Sequence, residues 1–210
     1  MNGVTLSILA FCVFSAVSLL CPAKAEATEL DSIYVRVPIS PERYQAWLAS
    51  PLRHAGEFDD WSGMSDQWKD EWREDFYDWD LATNGEFVDL VQQQMTSVWN
   101  DDWNSQPYID YDQARAVLTY AQILYDENFI NFANDLSAFR SLADFKDTDE
   151  PGFIAIYPFI WDPGYTVIME IGAGCTKFHT EATVPPAFKR FIEEANAHFD
   201  TELEKMEDDG

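Results

Sequence analysis

From Ile33 to Ile39 the chain reads "IYVRVPI", apolar positions alternating with others, which predicts a β-strand. The period then changes. In "SPERYQAWLAS", Ser40 suits a helix cap and Pro41 the first helical position, and Tyr44, Trp47 and Leu48 share one helical face. Pro51 closes that helix, and "PLRHAGEFDD" is a loop. The stretch from Asp59 to Asp80, "DDWSGMSDQWKDEWREDFYDWD", sets four tryptophans among acids. Trp61, Trp68, Trp72 and Trp79 are spaced 7, 4 and 7. At a helical turn they fall within about 40° of one another. Asp66, Asp70, Glu74 and Asp78 lie mostly on the far side, so the pattern predicts a helix with tryptophan inward and acid in water. A tryptophan-lined groove left open for a ligand is the alternative.

Further on, "NGEFVDLVQQQMTSVW" predicts a helix with Phe87, Leu90, Val91 and Val98 near one face. Ala114, Val117, Leu118, Ala121, Leu124 and Tyr125 follow helical spacing behind a cap at Asp110 or Asp112. Phe129, Phe132, Ala133, Leu136 and Phe139 continue it, as one bent helix or a helical hairpin broken near 126–128. After the acidic turn "KDTDEPG", the runs "FIAIYPFIW" and "YTVIMEI" predict two strands. Asp162-Pro163-Gly164 between them suits a type II turn, and Pro158 puts the first strand at an edge or a bulge. "GAGCTKFH" is a glycine-rich turn that can lead into a third strand. Pro185 and Pro186 start a last helix with Phe188, Ile192, Ala195, Phe199 and Leu203 on its face, followed by a fraying tail. The order predicts an α+β domain: a small antiparallel sheet, made of the N-terminal strand plus a C-terminal β-hairpin, covered by several amphipathic helices.

The beginning of the chain changes the picture of where it works. Val4 to Leu20 is almost wholly apolar, and Ala23-Lys24-Ala25 offers an A-x-A cleavage site before Glu26. Residues 1–25 therefore resemble a secretory signal peptide, although no Lys or Arg precedes the apolar run. Retention of that segment as a membrane anchor is the alternative. Cleavage near Ala25 leaves residues 26–210 as one acidic α+β domain with a periplasmic or secreted address. Cys12 and Cys21 leave with the leader, so Cys175 remains alone and the mature chain has no internal disulfide. Beyond the leader no apolar run is long enough to span a membrane.

Charge narrows the partners. The chain has 38 acidic against 13 basic side chains, a formal net charge of −25. Loss of Lys24 with the leader makes that 12 against 38, or −26. Such a domain repels nucleic acid and anionic lipid and attracts cations. Solubility or salt adaptation is the plainer reading of the same charge.

The sequence contains no H-E-x-x-H, no G-x-S-x-G, no Walker loop, no dinucleotide fingerprint and no EF-hand spacing. It therefore gives no catalytic residue, no metal site and no cofactor. Cys175 and His179, four apart, make an incomplete thiol–imidazole or metal pattern. His198 sits beside the apolar face of the last helix, as a packing residue would. Glu170, in the apolar strand "VIMEI", faces either a buried site that raises its pKa or solvent.

Two functions fit. The first is an exported acidic binding protein that neutralises a cationic partner in the cell envelope, a basic toxin or envelope enzyme. In class this resembles exported immunity proteins and periplasmic lysozyme inhibitors. In some of those inhibitors a Cys/His-bearing loop plugs the enzyme cleft, and "CTKFH" is similar to such a loop but has no second cysteine to brace it. That reading puts the contact at Asp66, Asp70, Glu74 and Asp78, or at Cys175, Lys177 and His179. The second function is a carbohydrate-active enzyme or glycan-binding module that uses tryptophan platforms and carboxylates.

Overall fold

Strand β1 (Asp31–Pro38) is buried along its whole length, and its two faces serve two different cores. Ile33, Val35 and Val37 belong to one core, Tyr34 to the other. The computed structural model describes residues 31–63, 80–95, 107–126, 129–157, 165 and 167–208. Around β1 run α1 (Pro41–Leu48), α2 (Asn84–Met95), β2 (Tyr108–Asp112), β3 (Val117–Asp126), α3 (Phe129–Arg140), β4 (Gly152–Tyr157), β5 (Val167–Gly172), β6 (Cys175–His179) and α4 (Ala187–Asp208). The strands form one antiparallel sheet in the order β2-β3-β1-β4-β5-β6. Residues of α1, α2 and α3 pack on one face with Trp47, Phe87, Phe132 and Phe139. Phe188, Phe191, Ala195 and Phe199 of α4 pack on the other, against Tyr34, Phe153, Ala155 and Ile168.

The sheet is larger than the sequence pattern predicts, and this corrects the expected architecture of an N-terminal strand plus a C-terminal hairpin. The segment assigned to a helix from Ala114 onward is instead the hairpin β2–β3. The physical reason is burial on both sides. Leu118 and Tyr120 enter the first core while Ala121 and Ile123 enter the second. A strand buried on both faces loses its period-two pattern, and its apolar run imitates helical spacing. Its Val117, Thr119, Tyr120, Ile123 and Tyr125 are β-branched or aromatic residues that favour a strand. Asp112 caps no helix; its Oδ1 accepts from the amides of Ala114 and Arg115 at 2.9 and 3.0 Å and shapes the hairpin turn. β6 is the sixth strand, reached through Ala173-Gly174 with Gly174 at φ 72°.

Elsewhere the pattern holds. α1 begins at Pro41, though the Ser40 hydroxyl donates to Asp147 rather than capping the helix. α3 carries Phe132, Ala133, Leu136 and Phe139 inward, and β4 and β5 pair. α4 buries Phe188, Ala195 and Phe199, and it corrects one expectation: it continues as helix to Asp208, through most of the tail expected to fray. The turn at Asp162-Pro163-Gly164, Pro158 and residues 1–25 lie outside the described residues.

The acidic turn after α3 is held by a lysine. Buried Lys146 donates to the carbonyl oxygens of Pro38, Thr148 and Glu150 and to Thr148 Oγ1. Desolvation lowers its pKa, while the neighbouring carboxylates of Glu150 and Asp147 oppose the shift. On the α4 side, Arg36 reaches Glu194 at 2.6 Å and Glu150 at 3.0 Å, tying β1 to α4 and to that turn.

Tyrosines fill much of both cores, and this sets the alkaline limit of stability. Burial pushes Tyr34 and Tyr44 up to about 12 from 10, and it raises Tyr120 and Tyr157 well above their ordinary value. A folded-state pKa above the unfolded one gives stability that is intact below pH 10 and is lost as pH rises through about 12. Tyr34 and Tyr44 each contribute about 3 kcal/mol to that loss. We expect these phenols to ionise together with unfolding, phenolate absorbance and far-UV circular dichroism moving in one step. Complete ionisation near pH 10 with unchanged dichroism would contradict the described cores.

Candidate functional site

β6 presents its residues alternately, so the three sequence candidates on it share a face. Cys175, Lys177 and His179 lie on the α4 side of the sheet, opposite Gly172, Glu170 and Ile168 of β5. Thr176 and Phe178 lie on the other side. Cys175 is exposed and carries a free thiol, and Lys177 is exposed. Four residues of extended strand separate Cys175 from His179 by about 13 Å, too far for a thiol and its base or for two ligands of one metal. Among the described residues no group of three or more His, Cys, Asp or Glu is placed to hold a metal ion.

The structure instead pairs His179 with Glu170. His179 Nε2 donates to Glu170 Oε2 at 2.8 Å, with the imidazole 3% and the carboxylate 29% exposed. A carboxylate only accepts, so this bond places a proton on Nε2. The ring's Nδ1 is buried and has no hydrogen-bond partner. Glu170 thus occupies neither of the two expected settings fully: it is half-buried and bonded.

Beside this pair opens a cleft of about 560 Å³ between β5, the turn after β6, and the first half of α4. Its apolar surface comes from Tyr165, Ile168, Val184, Phe188 and Ile192. Glu181, Lys189 and Glu193 stand at its polar side. The turn that carries Glu181 is fixed by the Thr183 amide donating to the Thr180 carbonyl at 2.9 Å and by the Thr180 amide donating to Thr183 Oγ1 at 3.0 Å. Phe188 and Ile192 read in the sequence only as a packing face. The excess apolar width of α4, where Phe191 and Ile192 are adjacent, was the available signal for a surface beyond the core.

On the opposite side of β6 sits a buried arginine. The Arg140 guanidinium, 3% exposed, lies 4.0 Å from the Phe58 ring centre, 4.6 Å from Trp61 and 5.5 Å from Phe178. Its Nη2 donates to Asp60 at 2.6 Å and to Thr176 Oγ1 at 3.0 Å, and its Nε also reaches Thr176. Gly174 N donates to Ala143 O at 2.7 Å. These contacts hold the edge strand β6 onto α3 and the loop before residue 63.

Of the four tryptophans in the opening acidic stretch, Trp61 is described, and it is 1% exposed with its indole N–H donating to Ala55 O at 2.8 Å. Trp61 is therefore a core residue and offers no face to a sugar. Trp68, Trp72, Trp79, Asp66, Asp70, Glu74 and Asp78 lie outside the described residues. His198 packs against Tyr34 and Tyr108, with ring centres at 5.7 and 4.9 Å. Among the described residues no helix is long and apolar enough to cross a membrane. Comparison of the chain with family models, curated proteins and solved structures finds no match.

Proposed function

We propose that the chain is an exported acidic binding protein whose partner is a basic protein of the cell envelope. One observation carries this reading: six of the described cations already face the chain's own carboxylates. Arg36, Arg53, Arg115, Arg140, Lys189 and Arg190 each stand within 4.0 Å of one of the chain's own carboxylates. Lys146 is buried among carbonyl oxygens. With 38 acidic against 13 basic side chains, these pairs leave an excess of 25 negative charges that the chain's own cations do not neutralise. Such a field steers cationic partners and raises association rates. The leader-like residues 1–25 supply the export route of the proposal.

Two contact faces belong to this reading. One is the acidic set Asp66, Asp70, Glu74 and Asp78. The other is β6, where Cys175 and Lys177 are exposed and His179 is turned inward. The chain used as bait on its native envelope fraction, with low-salt and high-salt washes, tests the proposal. Retention of a single basic protein at a one-to-one ratio, released by salt, is the expected result. Retention of glycan alone, or of no specific protein, would overturn it. Reversal of these four acids is expected to slow association and flatten its salt dependence; unchanged kinetics remove that set from the contact.

A further inference from the structure

We infer that the cleft between α4 and β5 is a binding site for a small amphipathic amine, a ligand with an apolar body and one cationic N–H donor group. The inference does not depend on the proposed protein partner, because it rests on the cleft alone.

Three features fix the ligand class. First, the volume of about 560 Å³ falls in the range of small-molecule clefts, roughly 300–1,000 Å³. Second, the walls are apolar and aromatic, from Ile168 on β5 and from Phe188 and Ile192 on α4, which favours a hydrophobic body. Third, the polar side is rich in acceptors. Glu181 is exposed on the turn and close enough to Tyr165 for its charge to raise that phenol's pKa, after the larger effect of burial. The one cation there, Lys189, faces Glu193 at 3.8 Å, so its charge is balanced within the helix.

An anionic ligand would meet Glu181, which that pair leaves unbalanced, and the field of the whole chain. A neutral apolar one would leave these acceptors unpaired.

The test uses the full chain and three probes. 2-Phenylethylamine carries the body and the charge, 3-phenylpropionate the same body with opposite charge, and methylammonium the charge without the body. Calorimetric titration at about 0.15 M salt screens the long-range field, leaving local recognition. The amine is expected to bind saturably at one site, with both comparison probes weaker by about tenfold or more. Ile192→Trp, which fills the cleft from a half-buried position, is expected to abolish binding. Glu181→Gln, at an exposed turn residue that leaves the cores untouched, is expected to weaken it by about tenfold. Equal binding of amine and carboxylate, no saturable amine binding, or amine binding that survives Glu181→Gln unchanged would each overturn the assignment. The Glu181 variant decides the matter even where Ile192→Trp fails to fold.

Discussion

Trp47→Ala is expected to destabilise the chain by about 4 kcal/mol, the largest single loss we foresee. Trp47 on α1 is fully buried, at 0% exposure, in the core shared with α2 and α3. Truncation removes an indole that stacks on Tyr44 with ring centres 5.8 Å apart, and it opens a cavity no neighbour can fill without moving. It also removes the indole N–H that donates to Ser141 Oγ at 2.7 Å in a buried setting, leaving that hydroxyl its bond to the Ala138 carbonyl. Trp47→Phe keeps most of the apolar volume and is expected to cost less than half as much. Urea unfolding followed by circular dichroism separates the two. A loss below about 1 kcal/mol for the alanine variant would mean that α1 does not anchor this core.

The second large effect is at Arg140. Arg140→Met is expected to cost about 3 kcal/mol. The lower end of the range for broken buried pairs applies, because Asp60 is 45% exposed and water can take over its solvation. Burial lowers the Arg140 pKa while the hydrogen bond to Asp60 opposes the shift, so the guanidinium stays charged and depends on that bond and on the stacked rings. Lysine has no planar fork and no face to stack, so Arg140→Lys is not expected to restore stability. Amide exchange gives the local readout. β6 amides are expected to lose protection before those of β1, since Arg140 holds the edge strand through Thr176. Full rescue by lysine, or unchanged β6 exchange in the methionine variant, would make the cage incidental.

How much of this was legible depends on which faces of each element are buried. α1 and α4 pack mainly through one stripe, so Trp47 and Phe188 announced their helices by spacing. β1 was legible despite double burial because Arg36 and Pro38 interrupt its apolar run. β3 was not, because Val117, Leu118, Tyr120, Ala121 and Ile123 are all buried and leave no polar alternation. β2 is hidden together with β3, since at the sheet edge it pairs with β3.

At the candidate site, the sequence singled out Glu170 and His179 separately but did not join them. Their pairing depends on the register of β5 against β6, where one residue of slip would put them on opposite faces. The Arg140 cage joins residues up to 120 positions apart in the chain, as far as Phe58 to Phe178, and no local pattern encodes it.

The central claim is that the acidic surface serves one specific cationic partner rather than cations in general. The most direct measurement is a calorimetric titration of the chain with a basic protein captured from the native envelope fraction, at about 0.05 M and about 0.5 M salt. Unrelated basic proteins of similar net charge serve as controls. The account predicts a one-to-one endpoint, an affinity that falls with salt, and controls weaker by about a hundredfold or more. Weak, unsaturable binding shared equally by every basic protein would contradict it and reduce the charge to a solubility device.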